Sequence, residues 1–254
     1  MKIILVGTGT SQGVPNIGCY CKTCRSKNPK NKRLRVSAYI EVDDLKLLID
    51  TSIDFRQQML KFGISDLDAV LFTHHHVDHI LGMDDLRQIN QRLHKYIDIY
   101  GTKLTMDEIK KTFRYALNKL LIQYKAVPLV HFHTQKNEKF KIRNTEILPV
   151  EVSHGNIKIY GYRIRNFAYI TDASFISPEE LAKLEGLDVL IINALRRRPH
   201  PTHFSLEQAV NIAQILKPKK TFFTHITHDL NHNEINRTLP KNIRLGFDGL
   251  ELTI

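Results

Sequence analysis

The sequence predicts an α/β protein in which two strand-rich halves form sheets packed face to face, with helices covering them. Three observations carry that expectation. Short apolar runs such as 69–72 and 189–192 look like strands buried on both faces. Stretches with helical spacing of apolar residues stand between such runs. Residues able to bind metal follow several of the runs directly, where α/β proteins commonly place their sites. A chain of 254 residues that is 42% hydrophobic can bury a full core, as one large domain or two small ones.

In chain order, residues 1–7 read as a first strand, whose apolar stretch is too short for a secretory signal. The segment Gly7-Thr8-Gly9-Thr10-Ser11-Gln12-Gly13-Val14-Pro15 lacks the G-x-G-x-x-G spacing of a dinucleotide fingerprint, and no helix follows it. Its glycines are expected to let the backbone turn tightly near a site. Cys19, Cys21, Cys24 and a basic stretch, 27–35, complete a long loop. Residues 36–42 and 45–49 read as two strands joined at Asp43-Asp44, a short hairpin signal. Asp50-Thr51-Ser52 ends that strand and starts a helix running to about Phe62. After the strand at 69–72, the spacing of Leu86, Ile89 and Leu93 predicts a helix. A strand at 96–100 and a lysine-rich helical stretch at 105–124 follow.

From 129 to 171 the pattern is mostly short strands, among them 147–152, 158–164 and 168–171. A helix at about 178–184 precedes the apolar strand 189–192. Ser205-x-x-Gln208 reads as a capping box opening a helix that ends before Pro218. Residues 221–224 form the next strand, and the tail after Pro240 reads as a terminal strand pair.

Composition narrows the setting. No apolar run approaches the roughly 18 residues of a membrane span, so no membrane contact is expected. The net charge of +11 favours anionic partners such as phosphate esters or nucleic acid through its field, although a solvated basic surface explains it equally well. All three cysteines lie between residues 19 and 24, an odd cluster that argues against a disulfide framework. A reducing, cytoplasmic setting is expected.

The chain is organised around Thr73-His74-His75-His76-Val77-Asp78-His79, which reads H-x-H-x-D-H at the end of the 69–72 strand. Imidazole binds zinc, iron or manganese well, and a carboxylate adds charge and a harder oxygen. This is a metal site. A two-metal site needs more donors than one loop supplies. His154, Asp172 and His225 qualify, because each stands at or just beyond the end of an apolar strand.

With these residues in hand, the chain resembles the metallo-β-lactamase superfamily, from Asp50 through the H-x-H-x-D-H loop to His154, Asp172 and His225. The resemblance implies a four-layer αββα sandwich, residues 1–254 forming a single hydrolase domain. It implies that His74, His76 and His154 hold one divalent ion, that Asp78, His79 and His225 hold a second, and that Asp172 bridges both. Asp50 matches an aspartate that supports such a site rather than binding metal, while His75 and Val77 occupy variable positions. The expected ions are zinc or manganese, although ligand softness also allows iron or nickel and does not choose among them.

C-x-C-x-x-C at Cys19, Cys21 and Cys24 supplies three thiolates, one donor short of a closed tetrahedral zinc site. His228 is the candidate fourth, with Asp229 and His232 weaker. The chain is similar in this respect to the PhnP-type phosphodiesterases, related more distantly to the tRNA 3′-processing endonucleases. That resemblance implies a structural zinc pinning an N-terminal loop at about 8–35. It also places His203, within Arg196-Arg197-Arg198-Pro199-His200-Pro201-Thr202-His203-Phe204-Ser205, at the family's catalytic histidine, with His200 the rival. A histidine near neutrality can protonate a leaving alkoxide, and the three arginines either attract a phosphate or form a solvated basic turn.

The expected reaction is hydrolysis of small or cyclic phosphodiesters. A hydroxide shared by two ions attacks phosphorus and His203 supplies the proton, so that His203 and Asp78 are the expected catalytic residues. The alternatives are a thioester or other carbonyl hydrolase using the same ions, and an RNA-processing nuclease, which the basic charge allows. A small phosphodiester is the expected partner, RNA a lesser one, and a homodimer is compatible with the chain. A nucleic-acid-binding scaffold is disfavoured, because a scaffold needs none of the seven donors. The stretch 105–125 matches no substrate-binding element.

Overall fold

The computed structural model describes residues 1–254 throughout. Six strands come first: β1 (Lys2–Gly7), β2 (Ser37–Val42), β3 (Leu45–Ile49), β4 (Ala69–Leu71), β5 (Ile97–Gly101) and β6 (Val130–Thr134). Eight more form a second sheet: β7 (Phe140–Ile142), β8 (Thr145–His154), β9 (Ile157–Ile164), β10 (Phe167–Ile170), β11 (Phe175–Ile176), β12 (Val189–Asn193), β13 (Lys220–Thr224) and β14 (Ile243–Leu245). The last strand, β15 (Leu250–Thr253), returns to the first sheet beside β1.

The first sheet runs β15-β1-β2-β3-β4-β5-β6, and the second runs β11-β8-β9-β10-β12-β13-β14 with β7 on β8. Helices α1 (Phe55–Phe62), α2 (Val77–Ile80), α3 (Leu86–Leu93), α4 (Lys103–Thr112) and α5 (Lys119–Gln123) follow strands of the first sheet. Helices α6 (Pro178–Ala182), α7 (Leu206–Leu216) and α8 (His232–Asn236) follow strands of the second.

Side-chain alternation explains the layering. Along β1, Ile3 and Leu5 join the same buried cluster as Tyr162, Tyr169 and Ile191 of the second sheet, while Ile4 and Val6 face α1 and its neighbours. Along β12, Val189 and Ile191 point inward, and Leu190 and Ile192 pack with Ala209 and Ala213 of α7. Strands covered on both faces need apolar residues at every position, which is why they read as continuous runs rather than alternating ones. Three stacked cores therefore separate four layers, the αββα sandwich.

Strand direction gathers the loops. β1, β3, β4, β5 and β6 point one way, as do β8, β10, β12 and β13 in the second sheet. The predicted hairpin is present, with Asp43 at φ 53°, the left-handed conformation a two-residue turn demands. The capping box at Ser205 and Gln208 is formed, and α7 stops at a left-handed Lys217 ahead of Pro218.

Three expectations need correction. The helix after β3 begins only at Phe55, because Asp50, Thr51 and Ser52 spend their side chains on Thr73, Ile80 and Gln58. The stretch 105–124 is not one helix. Asn118 accepts from the Leu120 and Leu121 amides and so caps a separate short helix after a 3-10 turn, Arg114–Leu117. The terminal strands do not pair with each other: β14 extends the second sheet beside β13, and β15 the first. No helix is long and apolar enough to cross a membrane.

Candidate metal centre

The H-x-H-x-D-H loop leaves β4 and turns into α2, so His74 and His76 precede the helix while Asp78 and His79 lie in its first turn. His154 ends β8, Asp172 stands two residues past β10, and His225 one past β13. The seven side chains converge. His74 Nε2 and His154 Nε2 lie 2.9 and 3.2 Å from His76 Nδ1, and these atoms cluster with the Asp172 carboxylate. A second group joins Asp78, His79 and His225. Here His79 Nε2 is 3.4 Å from Asp78 Oδ2, and His225 Nε2 is 3.7 Å from the same oxygen. Asp172 Oδ2 is common to both groups, 3.8 Å from His74 Nε2, 3.4 Å from His79 Nε2 and 3.3 Å from His225 Nε2. One carboxylate between two sets of imidazoles is the arrangement a bridging ligand requires.

Surrounding groups aim the rings. Asp50 accepts from the Thr73 amide and hydroxyl, each at 2.8 Å, and from His79 Nδ1 at 2.8 Å, leaving His79 Nε2 to face the cluster. His154 Nδ1 donates to the Thr202 carbonyl at 2.7 Å, which turns its Nε2 inward. Asn193 donates to the Ala173 carbonyl and accepts from the Ala173 amide, bracing the residue after Asp172. Outer partners of this kind orient metal ligands and raise their basicity.

The donor set fits divalent ions. His79 Nε2 and both ring nitrogens of His225 are buried without a hydrogen-bond partner, a costly state for polar atoms unless a cation is to be bound. Burial opposes charge on His79, yet Asp172, Asp78 and Asp50 outweigh it and hold the ring well above its usual range. Burial pushes His74 well below its usual range. Asp78 and Asp172 are also buried, but their imidazole neighbours keep both carboxyls below the usual range. Carboxylates held ionised beside a neutral His74 are what metal ligation needs.

His203 lies at the edge of the cluster, its Nε2 3.2 Å from Asp172 Oδ2. Its Nδ1 is 2.8 Å from the Thr202 hydroxyl and 3.2 Å from His200 Nδ1. His203 thus faces the central carboxylate and His200 stands behind it. Arg196 donates to the carbonyls of Arg198 and Pro199, bracing its own loop, while Arg197 and Arg198 are exposed.

A second donor cluster joins the long loop to the segment after β13. His228 Nδ1 is 3.2, 3.4 and 3.6 Å from the sulfurs of Cys19, Cys21 and Cys24. Burial disfavours the Cys21 thiolate, but the Cys24 amide and His228 lower its thiol to about 6. Burial pushes Cys24 up to about 11. Three sulfurs and one imidazole suit a closed zinc site. Asp229 is 3.9 Å from the far ring nitrogen of His228, and His232 faces Arg33 and Asn236 instead. Sequence reasoning missed Asn193 and Thr202. Asn193 was detectable as a polar residue ending an apolar run, whereas Thr202 acts through its backbone and leaves no side-chain signal.

The beta-lactamase superfamily domain matches residues 46–226, and the chain belongs to that superfamily, whose members are metal-dependent hydrolases. Within it the chain is PhnP-like. It is 42% identical to a solved diphosphatase from the PhnP family, with a TM-score of 0.92 over 99% of this chain and 96% of that one. It is 40% identical to a Porphyromonas gingivalis protein named octanoyltransferase, over the whole of this chain and 52% of that one. The chain therefore spans about half the length of that relative. Zinc-bound PqqB from Methylobacterium extorquens shares the fold at 18% identity, with a TM-score of 0.80 over the full length of both chains.

Proposed function

We propose that this chain is a metal-dependent phosphodiesterase acting on small or cyclic phosphodiesters. The observation that carries the reading is Asp172, one buried carboxylate oxygen shared by two donor groups and approached by His203 at 3.2 Å. His74, His76 and His154 would hold one ion, Asp78, His79 and His225 the other, with Asp172 between them. Cys19, Cys21, Cys24 and His228 would hold a structural zinc. Two bound divalent ions supply a water acidic enough to ionise near neutrality and a clamp for phosphoryl oxygens.

The chain's own part is positioning and proton transfer. Asp50 and Thr202 keep His79 and His154 turned toward the centre. Burial, only partly offset by Asp172, brings His203 down to about 4, so the free ring is neutral. An anionic phosphoryl oxygen beside Nε2 raises that value and lets the ring carry the proton that the leaving oxygen takes. No side-chain nucleophile is required.

That the PhnP-family relative is a diphosphatase supports chemistry at phosphorus. The octanoyltransferase name favours acyl chemistry, but it describes a protein about twice as long, and acyl transfer would not need His203. The test is turnover of an aryl phosphodiester and a 2′,3′-cyclic nucleotide by metal-stripped protein refilled with manganese or zinc, beside a thioester. Metal-dependent phosphodiester hydrolysis is expected, falling by about 10²–10⁴-fold in kcat for His203→Ala. Thioester turnover with none at phosphorus, both ion positions being filled, would sink the reading.

A further inference from the structure

The two donor groups draw on both sheets. His74, His76, Asp78 and His79 leave the first, while His154, Asp172 and His225 belong to the second. The centre is therefore assembled only while the sheet ends keep a fixed separation. Stacked sheets ordinarily stand about 10 Å apart, and the apolar contact between them is non-directional.

Backbone bonds of Thr8 and Thr10 to Ile226 cross the gap beside His225, and two directional bonds from β9 cross it beside the His loop. The Tyr160 amide donates to the Thr73 carbonyl at 3.1 Å, and the Tyr162 hydroxyl donates to the Phe72 carbonyl at 2.7 Å. Phe72 and Thr73 immediately precede His74. Both tyrosines lie on β9, between β8, which ends at His154, and β10, which leads to Asp172. Tyr162 is fully buried, and that burial keeps its phenol protonated as a donor.

We infer that Tyr162 is a positioning residue whose hydroxyl bolts the His-loop strand to the strand between His154 and Asp172, setting the distance between the two halves of the metal centre. The inference rests on the ligand assignment proposed above. Without the hydroxyl, the Phe72 carbonyl is left buried without that donor, and the metal-free protein gains by letting the sheet ends part. Ion binding must then draw them together, and apparent affinity falls by the fraction of molecules still closed. A merely structural bond would lower stability and leave ion affinity alone.

The test compares metal-stripped wild type with Tyr162→Phe. Tyr160→Phe is the matched control, because it removes a phenol hydroxyl from the same strand and keeps the bridging amide. Manganese is the probe, since the thiolate cluster takes it poorly, and bound ion is counted by loss of the free-ion resonance signal. Tyr162→Phe should bind manganese about tenfold more weakly, while Tyr160→Phe matches wild type. Wild-type affinity and stoichiometry in Tyr162→Phe would overturn the inference, whatever its melting temperature. A wild type that takes up no manganese overturns the ligand assignment, and this inference with it. Should Tyr162→Phe fail to fold, hydrogen exchange on metal-free wild type decides. The Tyr160 amide should be as protected as those of β12, and rapid exchange would mean that β9 does not hold the His-loop strand, which overturns the inference.

Discussion

Asp50, Asp172 and His225 share a backbone conformation that residues other than glycine seldom take, with φ of 61°, 60° and 53°. Each sits just past a strand of the inner layers, where the chain must turn sharply and still aim a polar group back at the centre. Such residues cost on the order of 1–3 kcal/mol each and persist where the surroundings over-determine them. His232 shows the other way a buried residue is constrained. Burial, then Arg33 and Lys30, lower it from its ordinary 6.5 to about 4, and Asn236 Nδ2 approaches its Nε2 at 3.0 Å. Between those values the unfolded chain takes a proton that the fold refuses, so this residue makes stability rise with pH through that window. His232→Gln should therefore become more stable relative to wild type as pH falls from about 6.5 to about 4. Above that window the gap should stay constant. Urea unfolding across the range checks this, and a pH-independent gap would refute it.

Among the elements, the turn after α2 fixes the second donor group. A Cβ at Gly82 would lie 2.2 Å from the Ser52 carbonyl oxygen and 2.4 Å from Phe55 Cβ, atoms of the backbone and of a buried side chain. The Gly82 amide donates to the Thr51 carbonyl at 3.0 Å, and the Thr51 hydroxyl donates to the Ile80 carbonyl at 3.1 Å. This close approach fixes the end of α2, whose His79 meets Asp50 at 2.8 Å. Gly82→Ala should destabilise the protein by about 1–3 kcal/mol, with weaker metal binding, because the segment that must shift carries two donors. Denaturant midpoints and a metal titration of the same variant check both halves. By contrast α5 buries no residue, and Lys103 and Lys111 of α4 pair with Asp107 and Glu108 on the surface.

At the scale of the molecule, the long loop between β1 and β2 is held from several directions. Cys19, Cys21 and Cys24 meet His228. Arg33 donates to Thr8 and to the Gly246 carbonyl, and Asp248 accepts from Thr8 and Leu34. His228, which meets the thiols, sits three residues beyond His225, so loss of the cluster reaches the Asp172 donor groups through the chain itself. Cys24→Ser should release about one equivalent of zinc per chain, lower the melting temperature and weaken metal binding at the donor cluster around Asp172. Unchanged zinc content would show that the thiols are not ligands.

His74, His76, Asp78, His79, His154, Asp172 and His225 were legible in the sequence for one physical reason. A buried strand writes itself as an apolar run, and the residue that ends it is its neighbour in the chain. The Asp43 turn and the Ser205 capping box were legible for the same reason, since a turn or cap is decided within four residues. What needed the tertiary structure was every relation between distant segments. Asp172 as the shared carboxylate, Thr202 behind His154, the Tyr162 bolt and the parting of β14 from β15 all depend on strands brought together across the fold. Local propensity carries no record of such partners, because the hydrogen bonds that make them join residues up to a whole chain length apart.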